Sequence, residues 1–231
     1  MTTPQLPLNF RFPPRTRLAH FLPGDNAVAL ASVRQLLVDT GEFAGVLLAG
    51  PAGSGKTHLA SSAVQEANTA QYLPLRSLGA QALPALEAAL TTGLVVIDDV
   101  DAIAGRRAEE IALFDLFNRA KSDRARLLVT SAELPSRLAI HLPDLVSRLS
   151  SLVQHRLRLL PEFEVRAVLV DRARERGLDL SGEVLDFLMR RFPRDLGALI
   201  SIVDQLDVAS MAAQRRLTVP FIRRVIESVK T

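Results

Sequence analysis

The chain has no cysteine, which excludes disulfides and thiolate-held metal centres. Lysine is nearly absent. Of 28 basic residues only Lys56, Lys121 and Lys230 are lysine, the rest being arginine, and the formal net charge is +3. So small an excess argues against a dense cationic surface of the kind that nucleic-acid binders carry. The pairs Arg106-Arg107, Arg215-Arg216 and Arg223-Arg224 read as solvated helix faces. The four histidines, His20, His58, His141 and His155, are scattered and show no metal-ligand spacing. No apolar run approaches the ~18 residues of a membrane helix, and the N-terminus lacks the basic-then-apolar layout of a signal peptide. A cytoplasmic globular protein without a membrane partner is therefore expected. Its 231 residues suit one large domain, or a core domain with a smaller one.

Residues 50–57 read Gly50-Pro51-Ala52-Gly53-Ser54-Gly55-Lys56-Thr57, the pattern G-x-x-x-x-G-K-[ST]. A buried-strand run, Val46-Leu47-Leu48-Ala49, precedes it and a helical stretch from His58 to Ala67 follows. That strand–loop–helix context is what a phosphate-cradling loop requires. The glycines let backbone N–H groups converge on phosphate oxygens, and the helix adds its positive end. Lys56 would reach the β- and γ-phosphates, and the Thr57 hydroxyl would bind Mg²⁺.

Strand-like and helix-like stretches alternate through the first two thirds of the chain. Strands are expected at 46–49, 71–75, 94–98, 126–131 and 155–160, with helices at 27–38, 56–67, 79–90 and 107–121. This alternation predicts an α/β core with a parallel five-stranded sheet flanked by helices. After Pro161 only helices are expected, at 162–176, 181–192, 196–214 and 218–229. The reading is thus an extended proline-rich tail over 1–15, a nucleotide-binding core over 16–160 and a small helical lid over 161–231.

Leu94-Val95-Val96-Ile97-Asp98-Asp99 is an apolar strand that ends on two carboxylates. About forty residues after a phosphate loop, Asp98 is expected to hold the Mg²⁺ shell and Asp99 to polarise the attacking water. Leu127-Leu128-Val129-Thr130-Ser131 is a second buried strand with hydroxyls at its tip. Strand carboxyl ends face the ligand in open α/β sheets, so Thr130 or Ser131 is placed to sense a γ-phosphate.

Together these features resemble the AAA+ ATPases and, within them, the DnaA-related group that includes the Hda-type regulators. Phe21-Leu22-Pro23-Gly24-Asp25-Asn26 is similar to the family's entry motif, which implies that Asp25 and Asn26 line the adenine pocket. Phe114-Asp115-Leu116-Phe117-Asn118-Arg119 matches the helix after the acidic strand. Leu142-Pro143-Asp144-Leu145-Val146-Ser147-Arg148-Leu149 matches the segment carrying the arginine finger. Gln205-Leu206-Asp207, Ala213-Gln214-Arg215 and Leu217-Thr218-Val219-Pro220-Phe221 match the end of the lid. The resemblance implies that Arg148 reaches a neighbouring subunit's nucleotide and that Arg194 contacts bound phosphates from the lid. The cofactors it implies are ATP or ADP with Mg²⁺. The phosphate loop is intact, so weak ATP turnover by the chain itself is chemically open.

A DnaA initiator continues past its lid into a helix-turn-helix domain, whereas this sequence ends at Thr231, directly after the last lid helix. The expectation is a module that completes another protein's active site. Gln5-Leu6-Pro7-Leu8-Asn9-Phe10 resembles the short peptide that docks on the bacterial DNA polymerase III sliding clamp (its β subunit). Gln5 would hydrogen-bond, Leu6 would belong to the same strand-like peptide, and Leu8 and Phe10 would fill apolar pockets. The resemblance therefore implies a negative regulator of replication initiation, partnered by the DnaA initiator and the sliding clamp. DNA would be reached mostly through the clamp, and self-association through the AAA+ face is open. The alternative is a self-acting ATPase of the helicase-loader or nucleoprotein-remodelling type.

Overall fold

A computed structural model describes residues 17–38, 41–192, 196–213 and 218–228. Five parallel strands form one sheet: β1 (Ala44–Ala49), β2 (Ala70–Pro74), β3 (Leu94–Asp98), β4 (Arg126–Ser131) and β5 (Val153–Arg156). Their spatial order is β2-β3-β4-β1-β5. The helices are α1 (Ala27–Leu37), α2 (Lys56–Glu66), α3 (Leu75–Leu78), α4 (Ala82–Glu87), α5 (Arg107–Ser122), α6 (Pro143–Ser150), α7 (Glu162–Glu175), α8 (Gly182–Arg191), α9 (Leu196–Ala213) and α10 (Val219–Ser228).

The chain divides into two compact units. Of the described residues, one unit holds 17–23 and those of 27–49 and 56–156, and the other holds 24–26, 50–55 and those from Leu157 onward. In the first unit, β3 and β4 are buried along their whole length, which is why they read as unbroken apolar runs. Successive side chains point to opposite faces. Leu47, Val95, Ile97, Leu127 and Val129 share a core with Leu86, Leu113, Leu116, Phe117, Leu145 and Leu149 of α4, α5 and α6. The alternate residues, among them Leu48, Val96 and Leu128, face the other side, where α1 and α2 pack on the sheet. That alternation puts Asp98 and Thr130 on the α2 side.

The second unit has its own core, in which Val165, Leu169, Leu188, Leu199, Val203, Leu206 and Ile222 pack together from α7, α8, α9 and α10. Its α7 and α9 are also joined by charge: Arg172 and Arg176 reach Asp204, and Arg176 also reaches Asp207. Ser181 caps α8 by accepting from the Val184 N–H.

Two expectations differ from the structure. The last strand was expected at 155–160 and runs Val153–Arg156, because pairing with β1 covers only Val46 to Ala49. The helix expected over 79–90 is a 3-10 turn at Gly79–Gln81 followed by α4, which stops at Glu87; the short α3 precedes it, and Gly79 between them has a positive φ (54).

Candidate nucleotide site

Residues 50–55 join β1 to α2. Gly53 (φ 80) and Gly55 (φ 92) adopt conformations that side chains disfavour. A Cβ on Gly50 would lie 2.8 Å from the Leu157 carbonyl oxygen and 3.0 Å from Ser54 Oγ, so only glycine fits there. The Ser54 N–H bonds the Pro51 carbonyl at 3.3 Å, which tightens the turn. Ser54 Oγ is buried without a hydrogen-bond partner among the described residues. Such an orphaned hydroxyl inside a glycine-bent loop fits an oxyanion ligand. In the same unit, Asn26 is buried and clasps the Arg158 backbone through two bonds, Nδ2 to the carbonyl at 2.9 Å and the N–H to Oδ1 at 2.8 Å. Asp25 forms an exposed ion pair with the Arg158 guanidinium at 3.2 Å.

The loop runs directly into α2, whose first residue is Lys56. Burial lowers the affinity of Lys56 for its proton, while Asp99, Asp101 and Asp98 favour its charged form. Thr57 is exposed in the first turn. Ser61 Oγ donates to the Thr57 carbonyl at 2.7 Å.

The strand tips carry a connected polar network. Asp98 is 3% exposed. Its Oδ2 accepts from the Tyr72 hydroxyl at 2.7 Å and its Oδ1 from the Thr130 hydroxyl. Thr130 Oγ1 in turn accepts the Asp99 N–H at 2.9 Å. Asp99 follows in the left-handed region (φ 60, ψ 56), which aspartate tolerates better than most residues. Burial, and then the neighbouring Asp98, push the Asp99 carboxyl above its usual range, and Arg76 opposes the rise. Arg76 pairs with Asp99 at 2.9 Å and with Asp101. Asp101 also accepts the Ala132 N–H at 2.8 Å and so ties the β3 tip to the β4 tip.

Ser131 Oγ donates to the Glu133 carbonyl at 2.7 Å, so of the two tip hydroxyls it is Thr130 that reaches the carboxylates. Tyr72, Arg76 and Asp101 were missed in the sequence. Tyr72 lies mid-strand in β2, and Arg76 and Asp101 lie just beyond strand ends, so the pairing of β2 with β3 and of β3 with β4 had to be known first.

Among the described residues no cluster of three or more His, Asp or Glu side chains is arranged to hold a metal ion alone. Mg²⁺ commonly uses one or two carboxylates with phosphate oxygens and water. The Asp98 carboxylate and the Thr57 hydroxyl are oxygen donors of the type that such a site uses.

Arg148 lies on α6, half-buried, with its guanidinium 6.0 Å from the centre of the Phe114 ring. It has no carboxylate partner among the described residues. Gln5, Leu6, Leu8, Phe10 and Arg194 lie outside the described residues.

The parallel sheet with its glycine-bent phosphate loop, and the helical unit that follows, define an AAA+ ATPase fold. Two family models match the sequence: the ATPase family associated with various cellular activities over residues 46–157 and the Hda lid domain over residues 162–226. An AAA core followed by an Hda lid places the chain among the Hda-type AAA+ proteins. Domain III of the Thermotoga maritima replication initiation protein DnaA superposes with a TM-score of 0.76 at 18% identity, covering 95% of this chain and 98% of that one. AMPPCP-bound DnaA from Aquifex aeolicus gives 0.68 at 22% identity, over 86% of this chain and 68% of that one. A Thermotoga maritima RuvB variant gives 0.59 at 18% identity, over 94% and 72%. Among the described residues no helix is long and apolar enough to cross a membrane.

Proposed function

We propose that this protein is a negative regulator of bacterial replication initiation that binds ATP or ADP with Mg²⁺ and lends Arg148 to ATP held by a DnaA initiator. The observation that carries the reading is the state of Arg148. Its guanidinium rests on an aromatic face, which restrains it, and no carboxylate among the described residues neutralises it. A planar, permanently charged fork held in this way suits a triphosphate supplied by another molecule. Residues Gln5, Leu6, Leu8 and Phe10 would dock the protein on the DNA-loaded sliding clamp, and Arg194 would contact the protein's own nucleotide.

In the chain's own site, loop 50–55 would wrap the phosphates with backbone N–H groups and Lys56 would neutralise their charge. Asp98 and Thr57 would hold Mg²⁺, which screens phosphate charge when bound. Asp99 would orient water. The solved DnaA of Aquifex aeolicus carries AMPPCP, an ATP analogue, which supports an adenine nucleotide here.

The test is phosphate release from DnaA-bound ATP in the presence of clamp-loaded DNA. The wild-type protein accelerates release. An arginine finger given in trans is worth about 10³–10⁵-fold in well-studied GTPases, which bounds the effect from above. Arg148→Ala abolishes the acceleration while the protein still binds nucleotide, and deletion of residues 1–10 removes the acceleration that depends on clamp-loaded DNA. Full stimulation by Arg148→Ala would falsify the reading. Rapid intrinsic hydrolysis that is indifferent to residues 1–10 would favour the self-acting ATPase.

A further inference from the structure

Asp98 is held from both sides. Tyr72 comes from β2 and Thr130 from β4, the two strands that flank β3. Tyr72 stands opposite Val96, two residues before Asp98, so its ring lies on the same sheet face and diagonally reaches the carboxylate. Ile97 stands opposite Val129, which brings Thr130 level with Asp98.

The proton directions are fixed by elimination. Thr130 Oγ1 accepts the Asp99 N–H, so its one proton is available for Asp98. The Tyr72 hydroxyl gives its proton to the other carboxylate oxygen. Each carboxylate oxygen has two acceptor sites, so one remains on each for a cation or its water. Both clamping groups are neutral donors. They orient the carboxylate without competing with a cation for its charge, as an arginine or lysine would.

We infer that Tyr72 is a positioning residue for Asp98, its phenol fixing the carboxylate plane so that the remaining lone pairs face a divalent cation bound with nucleotide phosphates. The inference rests on the reading of Asp98 as the metal-holding carboxylate. The chain has one tyrosine and no tryptophan, so tyrosine emission reports on this phenol alone.

The experiment uses the full chain with ADP, and Mn²⁺ as the metal probe, with free Mn²⁺ followed by electron paramagnetic resonance. Wild type, Tyr72→Phe and Asp98→Asn are compared. ADP affinity in EDTA and the thermal unfolding of each serve as controls. Tyr72→Phe weakens Mn²⁺ binding about tenfold, the lower end of what hydrogen-bond partners of metal ligands usually contribute. Its ADP affinity in EDTA stays at the wild-type value. Adding Mg²⁺ to the wild-type ADP complex changes tyrosine emission, and the change is lost in Asp98→Asn. Wild-type Mn²⁺ affinity in Tyr72→Phe, with Asp98→Asn weakened, overturns the positioning role and leaves the metal site standing. Unchanged affinity in both variants overturns the metal reading of Asp98 and the positioning role with it. An equal loss of ADP affinity in EDTA marks Tyr72 as merely structural and also overturns the role.

Discussion

His58 sits in the first turn of α2, just past the phosphate loop. Its ring packs against Phe21 with centroids 5.7 Å apart, and its Nε2 lies 3.3 Å from the Arg17 carbonyl oxygen. Burial, with His20 nearby, lowers its affinity for a proton below the ordinary value of 6.5, although the Arg17 carbonyl opposes this. The unfolded chain therefore takes up the proton first as pH falls. Stability is fully present above pH 6.5 and is lost as pH drops from there through the folded-state value. Thermal melts between pH 7 and pH 5 show a falling transition temperature in wild type, and His58→Gln flattens that slope. An unchanged slope would mean that other groups dominate the window. The same scale shows why arginine displaces lysine in this chain. Arg126 is buried and donates to the Leu37 carbonyl at 2.7 Å and the Leu36 carbonyl at 3.3 Å, ending α1. Arg119 does the same for α4, reaching the Leu86 and Ala89 carbonyls at 3.0 Å each. One guanidinium fork can close two orphan carbonyls at a helix end, where a single ammonium offers no fixed geometry.

Glu110 shows what connects one element to another. It is fully buried on α5 and accepts only backbone N–H groups: Gly105 at 2.7 Å, His141 at 3.0 Å and Leu142 at 2.9 Å. Leu142 is the N-cap of α6 and has no capping side chain of its own, so a carboxylate from α5 anchors the start of the helix that carries Arg148. Glu110→Ala strands those amides at a cost of about 1–3 kcal/mol. Hydrogen exchange at His141 and Leu142 accelerates about tenfold or more in this variant, while β3 and β4 stay protected. Equal acceleration throughout the first unit would mean global destabilisation instead. This link was not legible in the sequence, where α6 appears only as a family segment and Glu110 as one more charge in an amphipathic helix. Local signals fared better. The strands over 94–98 and 126–131 were readable to the residue, because burial on both faces writes itself as an unbroken apolar run. Lys56 and Asp98 stood out by their motifs, and the structure puts them at the first residue of α2 and the last of β3. Tyr72, Arg76 and Asp101 did not, since their meaning arises from strands that are neighbours in space but distant in the chain.

At the scale of the molecule, the phosphate loop and Asn26 cluster with the helical lid, while Lys56 and the acidic strand belong to the sheet unit. A nucleotide bound by the folded chain and not by the unfolded one would stabilise it by mass action, by ~2.7 kcal/mol at a hundred times its dissociation constant. Mg²⁺-ADP therefore raises the unfolding temperature of wild type, and Lys56→Ala loses the rise, as differential scanning fluorimetry would record. A shift retained in Lys56→Ala would move the ligand away from this loop. The borders of the sheet carry a different consequence. On one side β5 is four residues long and mostly exposed, and on the other β2 ends at Pro74, which has no N–H to donate. Neither border offers a long run of unpaired backbone to a second molecule. Concentrated solutions of the folded protein should thus resist the strand-on-strand stacking that seeds fibrous precipitate.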